Sequence, residues 1–180
     1  NIGGAKHRGL EVSLLGDISD DVSFNLAYTY LLATYTNYKN FGIDLAGNPN
    51  TTTVTTFDVT GNVLPRTSKH NVNLILNYKA TQNLLLTSEL NAKSSYYADD
   101  LNKLEIAGQA TLNFLSTYKF KFNDFDCSVF GRIDNVFDKQ YYNTARSSSD
   151  RDGNGIFNSE DLSITVNPGR VYTAGLSLKF

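Results

Sequence analysis

The densest concentration of reactive groups in the sequence is the oxygen-rich run at residues 150–161, Asp-Arg-Asp-Gly-Asn-Gly-Ile-Phe-Asn-Ser-Glu-Asp. Asp150, Asp152 and Asn154 stand at positions 1, 3 and 5 of a calcium-loop pattern, with Gly155 at 6, Ile156 at 7, Asn158 at 9 and Asp161 at 12. Carboxylate, amide and backbone carbonyl oxygens at these spacings wrap one hard cation, and glycine at the sixth place allows the sharp turn. The expected ion is Ca²⁺, in a structural role that stiffens an exposed loop. Asp161 stands where the pattern prefers Glu, and a shorter carboxylate changes affinity or denticity. The same Asp, Asn and Gly content also builds a plain solvated turn, which is the alternative.

Nothing else in the chain has catalytic spacing. A hydrolase needs a nucleophile, a base and an orienting group brought together. Serines abound, but His7 and His70 are lone histidines with no motif around them, expected near opposite ends of their strands. No catalytic residue is assigned, and the chain is not expected to be an enzyme. Cys127 is the single cysteine, so it offers neither an internal disulfide nor a thiolate metal site. On an apolar strand face it acts as a small hydrophobe.

The elements that carry the loop are strands. Residues 169–180 show the pattern most clearly: Tyr172, Ala174, Leu176, Leu178 and Phe180 alternate with Val171, Thr173, Gly175, Ser177 and Lys179. That length suits a tilted strand crossing a bilayer, which takes roughly 9–11 residues. The same alternation recurs over residues 6–15, from Val22 to Leu32, and over 71–78, 84–93, 109–122 and 127–134. Seven strands are thus predicted. Their connections alternate between short polar turns (16–21, 79–83, 123–124) and long loops (about 38–66, 96–105 and 143–168). Short turns at one end and long loops at the other fit an outer-membrane barrel.

Composition agrees. The 180 residues carry a net charge of −2, so no basic field argues for nucleic acid. There are 11 Tyr, 11 Phe and 13 Gly, a mixture that favours strands and turns. No apolar run reaches the roughly 18 residues of a membrane-spanning helix, and a barrel would show none. The polar strand face is mainly Ser, Thr, Asn and Gln, poor in the charges of a soluble exterior. That places the apolar face outward, towards lipid. Two aromatic girdles are expected. Tyr28, Tyr30, Tyr35, Tyr38, Tyr96, Tyr97, Tyr141, Tyr142 and Tyr172 lie towards the long loops; Phe24, Tyr78, Tyr118, Phe120, Phe122 and Phe180 lie towards the short turns. The competing reading is a small soluble ligand-binding barrel with the apolar face inside. Among the strand charges, Glu11 and Arg132 are expected on the polar, lumen face in structural pairing, with Asp134 paired to neighbours of Arg132.

Four motifs in order add a resemblance. Gly9-Leu10-Glu11, then Leu64-Pro65-Arg66 with His70, then Asn135-Val136-Phe137-Asp138-Lys139 with Tyr141-Tyr142, then Pro168-Gly169-Arg170 with terminal Phe180, resemble late-strand segments of TonB-dependent outer-membrane receptors. Each is weak alone; their order, from about residue 5 to the end, is the specific part. The resemblance implies a barrel of about 22 strands with a plugged lumen. Residues 1–180 would be the C-terminal part of that barrel domain, 143–168 an extracellular loop, and the plug would lie outside the chain. Seven strands, no Met and no leader at Asn1 agree with a piece of a longer polypeptide. The implied function is TonB-dependent uptake of a bulky scarce nutrient, above all an iron–siderophore chelate, with cobalamin, haem or glycan as other cargoes. Implied partners are outer-membrane lipid, the TonB complex and the nutrient; no single loop residue is singled out as its contact. Asp161 at the last place of the acidic run resembles dockerin-type repeats more than sensor EF-hands.

Overall fold

The computed structural model describes residues 3–44, 54–151 and 153–179. The strands are β1 (Ala5–Ser19), β2 (Val22–Tyr35), β3 (Phe41–Asp44), β4 (Val54–Phe57), β5 (His70–Lys79), β6 (Leu84–Lys93), β7 (Tyr96–Tyr97), β8 (Glu105–Ile106), β9 (Gln109–Phe122), β10 (Phe125–Asp134), β11 (Tyr142–Arg146), β12 (Ser163–Val166) and β13 (Val171–Lys179). Seven of them form one antiparallel sheet in the order β1-β2-β5-β6-β9-β10-β13. The other six pair as three small hairpins, one inside each long connection. These hairpins are additions to the seven strands expected from sequence.

Register explains the faces. Leu14, Leu26, Leu74, Leu90 and Leu112 stand opposite one another across five consecutive strands. Two residues towards the long connections, the same face presents Val12, Tyr28, Val72, Ala92 and Ala110. Between these rows the other face presents Ser13, Ala27, Asn73, Asn91 and Thr111. Because side chains alternate at period two, a slip of one residue would exchange the two rows, so the pattern pins the pairing. Large apolar groups stay uncovered on their face: Leu176 is 63% exposed, Tyr172 68% and Phe122 64%. The polar face is cross-linked instead. Asn73 donates to Asn91 (2.7 Å) and Thr87 donates to Asn77 (2.8 Å).

Most of the described core is off the sheet: apart from Ala33 and Tyr35 in β2 and Cys127 in β10, the buried apolar residues Ile43, Val59, Tyr96, Ala98, Ile106, Ala145 and Phe157 lie in the three long connections, which together form a crown. Tyr35 and Tyr96 were expected in an aromatic girdle; both are buried in this crown. Tyr30, Tyr78, Tyr118, Phe122 and Tyr172 do stand exposed at the two levels expected, and Phe180 lies outside the described residues.

Two further expectations are corrected. Residues 16–19 continue β1, with an irregularity between Asp17 and Ser19, so the turn is only Asp20-Asp21. His7 and His70 do not lie at opposite ends. His7 pairs with Ala33 and His70 with Tyr30, both at the crown end. They sit on opposite faces of the sheet, and His70 accepts from or donates to the Tyr28 hydroxyl at 2.9 Å.

Candidate functional site

The crown is organised by residues 94–108, which the other two long connections grip from either side. On one side, Asn102 adopts a left-handed backbone (φ 57°), a conformation that Asn tolerates. Its side chain accepts from the Val63 amide (2.7 Å) and donates to the Val63 carbonyl (2.8 Å). The Tyr35 hydroxyl donates to the Asp100 carboxylate, and Asn62 donates to the Asp100 carbonyl (2.9 Å). Arg66 donates its amide to the Tyr97 carbonyl (2.7 Å). On the other side, Ser147 donates to the Ala98 carbonyl (3.0 Å), and Ala145 packs with Tyr96, Ala98 and Ile106. Buried Asp99 holds the turn by accepting from the amides of Lys103 (3.1 Å) and Leu104 (2.7 Å).

The acidic run hangs from this crown through Ala145 and Ser147. Asp150 and Asp161 are both buried. Asp150 accepts from the amides of Gly153 (2.8 Å) and Gly155 (2.7 Å); Asp161 accepts from Arg151 (2.6 Å) and Asn158 (2.8 Å). Gly153 and Gly155 have φ of 72° and 82°, so the sharp turn falls where the pattern placed it. Asn154 accepts from Ile156 (2.7 Å). Asn158 caps a short 3₁₀ helix, Ser159–Asp161, by accepting from Glu160 (2.7 Å), and its amide donates to the Ile156 carbonyl (3.4 Å). Asp152 lies outside the described residues. Asp150 and Asp161 therefore fold onto the same short stretch of backbone, while Asn154 and Asn158 bond locally. Among the described residues, no three His, Cys, Asp or Glu side chains form a metal-holding group. No cationic side chain among them lies within 4.0 Å of either buried carboxylate.

Below the crown, a recess of about 390 Å³ opens where the polar face of the sheet meets the loops. Arg66, Lys93, Tyr96, Asn71 and Asn143 line it, with Leu31, Thr67, Ser68 and Thr144. It shares Asn71 and Lys93 with a second recess of about 300 Å³ that continues along the polar face. Further along that face, Arg132 bridges Asp134 (2.7 Å) and Glu89 (3.3 Å), and Asn113 donates to Glu89 (3.3 Å). Arg132 is thus in structural pairing, as expected, and Asp134 pairs with Arg132 itself rather than with its neighbours. Cys127 is buried on the apolar face, as its position in the strand implied.

Residues 1–136 match the family described as TonB dependent receptor-like, beta-barrel. The chain belongs to this family of TonB-dependent receptors. The fold agrees with solved receptors. The siderophore receptor PiuA of Acinetobacter baumannii aligns with a TM-score of 0.75 at 21% identity, over 96% of this chain and 21% of that one. The ferric preacinetobactin receptor BauA of the same organism gives 0.71 at 21% identity, over 98% and 22%. The ferric yersiniabactin receptor FyuA of Yersinia pestis gives 0.66 at 18% identity, over 98% and 24%. The chain thus spans about a fifth to a quarter of the length of these receptors.

The receptor motifs have clear structural work. Asn135 and Asp138 both take left-handed backbones (φ 53° and 52°) and build the turn that ends β10. Asn135 is buried; it donates its amide to Asn113 (3.0 Å) and accepts from Lys139 (3.0 Å). Asp138 accepts from the Arg170 amide (2.7 Å), and a Cβ at Gly169 would stand 2.6 Å from its carboxylate. The Asn135–Lys139 and Pro168–Arg170 motifs are therefore one lock at the crown end of β10 and β13. Leu64 donates to the Ala33 carbonyl (3.0 Å), tying its motif to β2. Sequence reasoning missed Asp99, Asp100, Asn102, Glu89 and the gathering of Arg66 and Lys93 at one recess. The run Asp99-Asp100-Leu101-Asn102 after two tyrosines carried the signal for the turn. No local signal carried the rest.

Proposed function

We propose that this chain forms wall and outer crown of an outer-membrane receptor for TonB-dependent uptake of an iron–siderophore chelate. Cobalamin, haem and glycan are the other cargoes of this size class. One observation carries the reading: a sheet with an exposed apolar face on one side and short polar side chains on the other, capped by interlocked loops. An exposed band of Leu, Val, Tyr and Phe suits lipid, and an edge-open sheet in lipid is completed by further strands. The solved receptors it resembles in fold bind a siderophore, ferric preacinetobactin and ferric yersiniabactin. A chelate too bulky for an open pore calls for a loop crown that captures it and a plug moved by the inner-membrane TonB complex.

Uptake of radio-iron chelates by iron-starved cells tests this. Disrupting the gene, or disabling TonB, is expected to abolish uptake of at least one chelate. Unchanged uptake of every ferric chelate in both strains refutes the iron cargo. A protein that stays soluble without detergent would refute the lipid-facing reading of the apolar band.

Within the crown, the acidic run would hold Ca²⁺ through Asp150, Asp152, Asn154, the Ile156 carbonyl, Asn158 and Asp161. The support is their oxygen donors, the two left-handed glycines, and two buried carboxylates without a cationic partner within 4.0 Å among the described residues. Buried charge is costly unless it is paired or bound to metal. The ion would supply rigidity to residues 147–163. Proteolysis of the intact receptor with Ca²⁺ or with chelator tests it: equal cleavage of the loop in both leaves a plain turn held by its own amides.

A further inference from the structure

The apolar face of the seven-stranded sheet is almost free of charge. Strand pairing fixes which residues share it. Among the described residues of the seven strands, the only Lys, Arg, Asp or Glu on that face are Lys6 and Arg8. Glu11, Glu89 and Arg132 all alternate onto the polar face. Lys6 and Arg8 stand two residues apart at the crown end of β1, opposite Thr34 and Leu32. Below them the same face of β1 continues through Leu10, Val12 and Leu14, with Leu10 and Leu14 exposed.

Position decides what this pair can meet. A charge within hydrocarbon is expensive, whereas Lys and Arg at the end of an apolar stretch reach the interface on their long stems. Water alone would accept either sign there. Here both charges are positive, both side chains are exposed, and neither lies within 4.0 Å of a carboxylate among the described residues. Side chains stand roughly perpendicular to a sheet, so a strand added beside β1 flanks the pair without covering it.

Three rings mark the depth. Tyr30 stands opposite Leu10 on one side and His70 on the other. The Tyr30 and His70 rings lie 5.3 Å apart, and His70 Nδ1 is 2.9 Å from the Tyr28 hydroxyl. Aromatic groups with polar tips gather at headgroup level. Arg8 and Lys6 stand one and two side-chain steps beyond Leu10 towards the crown, so they belong at that level or just above it. At about 3.3 Å per residue the pair spans about 7 Å, short enough for both cations to serve one phosphate group.

We propose that Lys6 and Arg8 hold the phosphate of an anionic lipid headgroup in the leaflet that surrounds the crown, with the cluster of Tyr28, His70 and Tyr30 seating the lipid beside it. This goes beyond the uptake reading: it needs the apolar face to lie in lipid and no particular cargo. Arg8 supplies a planar fork for two phosphate oxygens and Lys6 a point charge. The acyl chains then lie along Leu10, Val12 and Leu14.

The test uses the intact full-length receptor in phosphatidylcholine nanodiscs. The discs carry a trace of either a bis-phosphorylated glycolipid or the same glycolipid without phosphate, and native mass spectrometry after release from the disc counts the lipid retained. Wild type is expected to retain the phosphorylated form preferentially. Lys6→Gln and Arg8→Gln are each expected to lower that retention about fivefold, with the double variant lower still. Lys6→Arg keeps the charge and is expected to keep the lipid. Lys121→Gln removes a cation from the polar face at the other end of the sheet and is expected to change nothing. Excess inorganic phosphate is expected not to displace the lipid, because only the lipid adds apolar contacts. Equal retention of both glycolipids by wild type, undiminished retention by the double Gln variant, an equal loss with Lys121→Gln, or displacement by free phosphate would each overturn this inference while the uptake reading stands. A receptor that does not enter the bilayer refutes the lipid-facing wall, and this inference falls with it.

Discussion

The wall and the crown of this receptor segment are built on opposite principles. The wall leaves its large apolar side chains uncovered and joins its strands by backbone pairing. The crown buries a small apolar cluster of Tyr96, Ala98, Ile106 and Ala145 and joins its loops by side-chain amides and carboxylates acting on backbone. The wall can do without a core of its own because lipid is expected to cover one face. The crown stands in water, so its three connections must bury surface against one another. The difference teaches where each region can be tuned: wall side chains answer to what covers the two sheet faces, whereas crown side chains answer to one another.

The comparison breaks most readily at the middle of the wall. Leu74→Arg puts a charge in the five-leucine row, which is expected to cost about 2–4 kcal/mol at mid-bilayer and to lower the receptor recovered from the outer-membrane fraction. Asn73→Leu, one residue away on the polar face, should leave recovery nearer to wild type; equal loss from both variants would show that the two faces do not have different solvents.

The acidic loop ranks second. Asp161→Ala strips the acceptors from the amides of Arg151 and Asn158, and each unpaired buried amide costs about 1–3 kcal/mol. Hydrogen exchange is expected to quicken over residues 147–163 and to stay slow in β5, β6 and β9. Global loss of protection would mean that crown and wall fold as one unit.

Asn102→Ala probes the grip between two loops. It leaves the Val63 amide and carbonyl without their side-chain partner and places Ala in a left-handed conformation, together about 1–3 kcal/mol. Faster exchange at residues 62–66 and 98–104, with β11 and β12 unaffected, is the expected pattern. The smallest effect is expected at the turn end, where Lys121 and Asp126 form an exposed ion pair at 3.4 Å. Lys121→Ala should change thermal unfolding by no more than about 1 kcal/mol. A larger loss there would contradict the view that the turn end carries little of the stability.

Much of the wall was legible because each strand meets two different surroundings, and period two records both. That Leu14 and Ser13, or Leu112 and Thr111, face opposite ways can be read without any coordinates; which residues stand opposite one another across strands is set by the pairing. The reading stopped short at Gly16–Ser19, where polar residues continue the strand past an irregular pairing and look like turn. It misplaced Tyr35 and Tyr96, because an aromatic at a strand end reads the same whether lipid or a folded loop covers it. The histidines were likewise placed by count along the chain, and only the pairing with Ala33 and Tyr30 puts them at one end and on opposite faces.

By itself the sequence determined the seven strands of the main sheet, the alternation of short and long connections, the two faces, and the order of oxygen-bearing residues from Asp150 to Asp161. These are local properties: period, turn chemistry and spacing lie within a few residues of one another. The tertiary structure alone decided that Asn102 grips Val63, that Arg132 reaches Glu89, that Asp138 meets Arg170, and that Arg66, Lys93 and Tyr96 line one recess. Those pairs are distant or irregular in sequence, and no periodicity encodes them. They form where strand pairing and loop packing bring residues far apart in sequence side by side.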